Sequence, residues 1–127
     1  MKKKILVVED DKDINRAISI RLRSAGYKVS SAFDGLMGIS VAAKESPDLA
    51  ILDISMPAGN GLDLAERMKM LNQTSNTPFI VITASKRPTL KDRARELGCS
   101  AFIEKPYLPE TLLAEVKKAL GEVELAS

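Results

Sequence analysis

Leu49-Ala50-Ile51-Leu52-Asp53-Ile54-Ser55-Met56-Pro57 is an apolar run of strand length that meets a lone aspartate, and a Gly59-Asn60-Gly61 turn follows it. A short apolar run bounded by turn residues reads as a strand covered on both faces, as in a parallel sheet. Asp53 then stands at the carboxyl end of that strand. In open α/β sheets this is the edge at which ligands bind. A carboxylate placed there is a candidate ligand, nucleophile or acceptor of a transferred group.

The same pattern recurs on either side of this stretch. Upstream, Ile5 to Val8 is an apolar run ending in Glu9-Asp10-Asp11. Ile14, Ala17, Ile18, Leu22 and Ala25 then share one helical face, with Gly26 as the stop. Tyr27 to Phe33 reads as a second strand. Asp34 is placed to cap a helix carrying Leu36, Ile39 and Ala43, which Ser46-Pro47-Asp48 breaks. Downstream, a helix from about Leu62 carries Ala65, Met68 and Leu71, and Asn72 to Pro78 is a polar loop.

Phe79 to Thr83 is a fourth strand. Thr89 and Asp92 have the spacing of a capping box for a helix through Leu97. Ala101 to Glu104 is a fifth strand, and Pro109 opens a last helix bearing Leu112, Leu113, Val116 and Leu120. Strands alternating with helices imply right-handed parallel βα units. Five strands without a glycine-rich dinucleotide fingerprint favour a doubly wound, flavodoxin-like α/β sheet in the order 2-1-3-4-5. The chain of 127 residues reads as a single domain, 1–127, with a frayed tail from about 122.

Composition narrows the chemistry. Hydrophobic residues make up 45% and charged residues 28%, an ordinary globular balance, and the net charge of +2 is too small to argue for nucleic acid. One cysteine, Cys99, excludes an internal disulfide framework and reads as a small hydrophobe. The absence of histidine removes His-based metal sites and His-dependent nucleophilic catalysis. Lys2-Lys3-Lys4 leads into an apolar run too short for a signal peptide or a membrane span, so a cytoplasmic setting is expected.

The strand order brings Glu9 and Asp10, Asp53, Thr83 and Lys105 to one edge. Two unit charges about 4 Å apart repel by about 4 kcal/mol at an effective dielectric of 20. A cluster of carboxylates therefore holds protons or a cation. Oxygen ligands without His or Cys suit a hard ion such as Mg²⁺. A carboxylate can accept a phosphoryl group, an ammonium can neutralise the moving charge, and a hydroxyl can donate to phosphoryl oxygens.

With these residues in view, the chain resembles the receiver domain of two-component response regulators over essentially its whole length. The matching pieces are Ile5-Leu6-Val7-Val8-Glu9-Asp10, Leu52-Asp53-Ile54-Ser55-Met56-Pro57, Ile82-Thr83-Ala84 and Ala101-Phe102-Ile103-Glu104-Lys105-Pro106. The resemblance implies that Asp53 is the phosphoacceptor. Asp10, Glu9, Asp53 and the backbone carbonyl of Ser55 would hold Mg²⁺. It further implies that Lys105 pairs with the phosphoryl group, that Thr83 and Phe102 switch together, and that Lys105–Pro106 is cis. The expected donor is a histidine kinase or a His phosphotransfer protein. Output is expected through the fourth helix, fifth strand and fifth helix, with neither direct nucleic-acid binding nor membrane insertion, and without enzymatic turnover of an external substrate.

Each residue also has a plainer reading. Asp53 alone could be a turn aspartate, Asp11 is the natural cap of the first helix, Thr83 alone is an ordinary strand residue, and Phe102 alone is core. The basic stretch from Lys86 to Arg95 reads as a solvated helix face. Two positions depart from the family pattern. Gly59 replaces an apolar residue and predicts a flexible loop after Asp53, and Leu108 stands where a capping side chain is frequent. An aspartyl phosphohydrolase would want a second acid at Ser55, and a flavin protein would want a phosphate loop where Glu9-Asp10-Asp11 stands. The remaining alternative is a receiver-like scaffold that binds its partner without phosphorylation.

Overall fold

A computed structural model describes residues 2–54 and 61–122. Its elements are β1 (Lys4–Val8), α1 (Lys12–Ser24), β2 (Lys28–Ala32), α2 (Gly35–Glu45), β3 (Leu49–Asp53), α3 (Gly61–Met70), β4 (Phe79–Thr83), α4 (Pro88–Glu96), β5 (Ala101–Glu104) and α5 (Pro109–Ala119). The strands form one parallel sheet in the order β2-β1-β3-β4-β5, the order expected from the alternation. β1 and β3 therefore lie side by side, and their carboxyl ends meet.

Side-chain alternation along the strands builds two cores. Leu6, Val8, Ala50, Leu52 and Val81 pack with residues of α2, α3 and α4 on one face. Ile5, Val7, Leu49, Ile51, Ile80 and Ile82 pack with residues of α1 and α5 on the other. β3 and β4 are buried along their whole length, which is why they read as unbroken apolar runs. None of the helices among the described residues is long and apolar enough to cross a membrane.

Several local expectations are corrected. β2 is one residue shorter at each end than Tyr27 to Phe33. On α1, Asn15, Ile18, Ser19 and Leu22 face inward, while Ile14 and Ala17 are exposed. The inward stripe is turned by one position because polar Asn15 has partners beneath it. On α2, Gly38 and Ala42 are buried, and Leu36 is 73% exposed. A Cβ on Gly38 would lie 2.7 Å from Leu64 Cδ2, so a side chain there would make Leu64 of α3 shift. α4 starts at Pro88, and its N-cap is Arg87, which makes no capping side-chain bond; Thr89 already lies inside the first turn.

Other local signals hold. Asp11 accepts from the N–H groups of Asp13 and Ile14, and Asp34 accepts from that of Met37. Leu108 caps α5 without a side-chain bond, as its chemistry requires. The Lys105–Pro106 peptide is cis. Glu122, at the start of the expected tail, donates its N–H to the Lys117 carbonyl and accepts from the Tyr27 hydroxyl at 3.0 Å.

Candidate functional site

The carboxyl edge of the sheet assembles from four strand ends. β1 ends at Val8, and the next residue, Glu9, is 3% exposed. Its backbone N–H still donates to the Ala32 carbonyl at 3.1 Å, so β2 holds the chain one residue beyond the ladder. Asp10 follows and is exposed. Asp53 closes β3 and is 4% exposed. Carboxylate oxygens of Glu9, Asp10 and Asp53 all lie within 4.8 Å of one another.

Lys105 completes the cluster from the loop after β5. Its Nζ is 3.0 Å from Glu9 Oε1 and 3.0 Å from Asp53 Oδ2. Its backbone N–H donates to the Thr83 carbonyl at 2.8 Å, which fixes the loop against β4. Thr83 is fully buried, and its Oγ1 accepts from the N–H of Ser85 at 2.9 Å. Strand parity separates the roles. Glu9, Asp53 and Lys105 continue the parity of Val7, Ile51 and Ile103, on the α1/α5 side. Thr83 continues that of Val81, on the other side, where half-buried Phe102 packs. The ammonium of Lys91, on α4, lies 6.0 Å from the centroid of the Phe102 ring.

Crowding acids in a buried corner has an electrostatic consequence. Glu9 is pushed up from 4.5 to about 8, mainly by burial, with the neighbouring Asp53 adding to the rise and Lys105 opposing it. Burial alone would depress Lys105, but its bonds to Glu9 and Asp53 outweigh that, and its pKa ends above the usual lysine value. Tyr107, beside the same loop, is raised, chiefly by burial.

The donor set can be tested against Mg²⁺. Three carboxylates with no nitrogen or sulfur ligand among them match the preference of a hard cation, and one exposed member, Asp10, keeps the cluster open to solvent. The residues fit. Ser55, expected to add a carbonyl, and the Gly59-Asn60 part of the loop lie outside the described residues. The structure thus brings together Glu9, Asp10, Asp53 and Lys105, sets Thr83 on the adjoining strand end, and places Phe102 farther along β5 from that edge.

Two contributors escaped the sequence reading. Gly61 is buried at the start of α3, where a Cβ would lie 3.0 Å from the Asp53 carbonyl oxygen and 3.0 Å from Leu52 Cβ. A side chain there would be tight against the strand that carries Asp53, and the strand or α3 would have to give by a few tenths of an ångström. The second is Asn15, whose buried amide bonds the Glu9 carbonyl. Its sequence signal was present in the i, i+3, i+4, i+7 stripe Asn15, Ile18, Ser19, Leu22, but half of that stripe is polar.

Comparison with known proteins agrees with this geometry. The family described as "Response regulator receiver domain" matches residues 5–117. A "Probable transcriptional regulator ycf27" of Porphyridium aerugineum is 35% identical over 126 residues, covering 99% of this chain and 51% of the relative. The chain spans about half the length of the curated relatives it matches first. Among solved structures, the chemotaxis protein CheY4 of Vibrio cholerae superposes with a TM-score of 0.88 at 32% identity, covering 94% of this chain and 100% of that one. A CheY-like receiver domain protein of Methanospirillum hungatei superposes with a TM-score of 0.90 at 30% identity, covering 96% of each chain.

Proposed function

The chain belongs to the response regulator receiver domain family, and from that premise we propose that Asp53 accepts a phosphoryl group from a phosphohistidine on a separate protein. Receiver domains are phosphoacceptor modules of two-component signalling rather than enzymes, and they pair with histidine kinases. The observation that carries the reading is Lys105 Nζ bridging Glu9 and Asp53 at 3.0 Å each, beside Asp10.

In this reading an Asp53 carboxylate oxygen attacks phosphorus, the bond from phosphorus to the donor imidazole nitrogen breaks, and that nitrogen keeps the electron pair. The acceptor passes from a charge of −1 to about −2. Lys105 stands ready to neutralise the added charge, since its ammonium already touches Asp53. Glu9, Asp10 and Asp53 would hold Mg²⁺, which supplies charge neutralisation for the transferring group. Ser55 would add a carbonyl ligand. The Thr83 hydroxyl donates to the new phosphoryl oxygens. Phe102 then follows Thr83, and the surface formed by α4, β5 and α5 changes its fit to a partner. The chain acts as one domain through that surface.

The test is intact-mass spectrometry after incubation with Mg²⁺ and a small acyl phosphate. One phosphoryl group is expected on the wild type and none on Asp53→Asn. Absence of the adduct on the wild type, or its persistence on Asp53→Asn, would overturn the reading.

A further inference from the structure

We propose that Asn15 is a positioning residue for the cation-holding acids, setting where Glu9 and Asp10 stand by gripping the backbone from which they project; this rests on the reading of those acids given above. Asn15 is 1% exposed on the buried face of α1, where it alternates with Ile18, Ser19 and Leu22. An amide in that place is costly unless it is bonded. Its side-chain nitrogen lies 3.1 Å from the Glu9 carbonyl oxygen, 3.1 Å from that of Ala32 and 3.4 Å from that of Val7. Two amide hydrogens thus serve three carbonyls, one in β1, one in β2 and that of Glu9 directly after β1.

The amide is itself held in one orientation. Ser19, one turn later, donates to Asn15 Oδ1 at 3.3 Å, and its hydroxyl lies 3.3 Å from that of Ser31 on β2. The backbone adds a second grip, because Asn15 N–H donates to the carbonyl of Asp11, the residue directly after the acid pair. The first turn of α1 therefore fastens the Glu9-Asp10-Asp11 segment from both ends. Like charges on neighbouring acids push that segment outward against the pull of Lys105, and the grip of Asn15 opposes that push. Groups that orient metal ligands are often worth 10- to 100-fold in affinity.

The experiment measures Mg²⁺ affinity by isothermal titration calorimetry alongside thermal unfolding, for the wild type, Asn15→Ala, Ser19→Ala and Ile18→Ala. Ile18 lies on the same buried stripe and packs in the apolar cluster between α1, α5 and the sheet, so it controls for loss of stability alone. The expected result is Mg²⁺ binding weakened about tenfold in Asn15→Ala and about threefold in Ser19→Ala. Ile18→Ala keeps wild-type affinity at a lower melting temperature. Wild-type affinity in Asn15→Ala, or an equal loss in Ile18→Ala, overturns the proposal. If Asn15→Ala does not fold, Ser19→Ala decides, and unchanged affinity there overturns it. A wild-type protein that binds no Mg²⁺ would instead overturn the functional reading beneath it.

Discussion

Four helices of this molecule begin in two contrasting ways. α1 and α2 start on Asp11 and Asp34, whose side chains accept from first-turn N–H groups. α4 and α5 start on Arg87 and Leu108, which offer no such bond, with Pro88 and Pro109 in the first turn. Proline presets the backbone for a helix but accepts nothing from the free N–H groups behind it. The capped pair flanks β2 and includes the helix that fastens Glu9 and Asp10. The uncapped pair borders β5 and the surface proposed to respond to phosphorylation. Where the charges must stand still, local and tertiary bonds agree; where movement is proposed, the helix starts rest on proline and on the burial of Ala94, Leu112 and Val116.

The fastened half also carries the most costly group, and that gives the largest expected effect. Glu9 titrates near 8 in the folded protein and near 4.5 when unfolded. Between those values the folded state holds the proton more tightly, so rising pH favours the unfolded chain. In metal-free buffer, urea unfolding should show stability falling by a few kcal/mol, in order of magnitude, as pH rises from about 4.5 to about 8. Glu9→Gln should flatten that slope, and a flat wild-type profile would remove the electrostatic side of the comparison.

The caps come next. Asp11→Ala leaves two first-turn donors without their acceptor, and Asp34→Ala leaves one; losses of about 1–2 kcal/mol and about 1 kcal/mol are expected from urea midpoints. The converse change sharpens the contrast. Leu108 is 67% exposed, so Leu108→Asp gives up little burial and supplies the missing acceptor. A gain of about 0.5–1 kcal/mol is expected, and a loss would mean that α5 starts well without a side-chain cap.

The smallest effect concerns the link from α4 to α3. Arg93 Nη2 lies 3.0 Å from Asp63 and 2.8 Å from Glu66, but all three side chains are at least a third exposed. Solvent screens such pairs, so Arg93→Ala should cost less than about 0.5 kcal/mol by the same assay. A much larger loss would show α4 to be as firmly fastened as α1.

Most of the fold was legible because its signals are local. β4 and β5 fall on the residues expected, since apolar runs bounded by polar turns leave few registers. The acid cluster was legible too, once parallel order placed β1 beside β3. The inward faces of α1 and α2 were not. Ile14 and Leu36 are apolar yet exposed, while Asn15, Ser19 and Gly38 are buried. Hydropathy cannot report that a polar amide has waiting acceptors, or that a glycine sits against a leucine of the neighbouring helix.

The sequence by itself determined the alternation of strands and helices, the sheet order and the set of acids at one edge, because periodicity, turn chemistry and right-handed crossovers act over short stretches or allow few topologies. Only the tertiary structure decided how α1 is rotated and how the acids are held. The carbonyls that turn Asn15 inward belong to Val7, to Glu9 and to Ala32, the last 17 residues away in the chain. They meet only once the sheet has formed, and the bonds they then give the buried amide offset the cost of placing a polar group on that helix face.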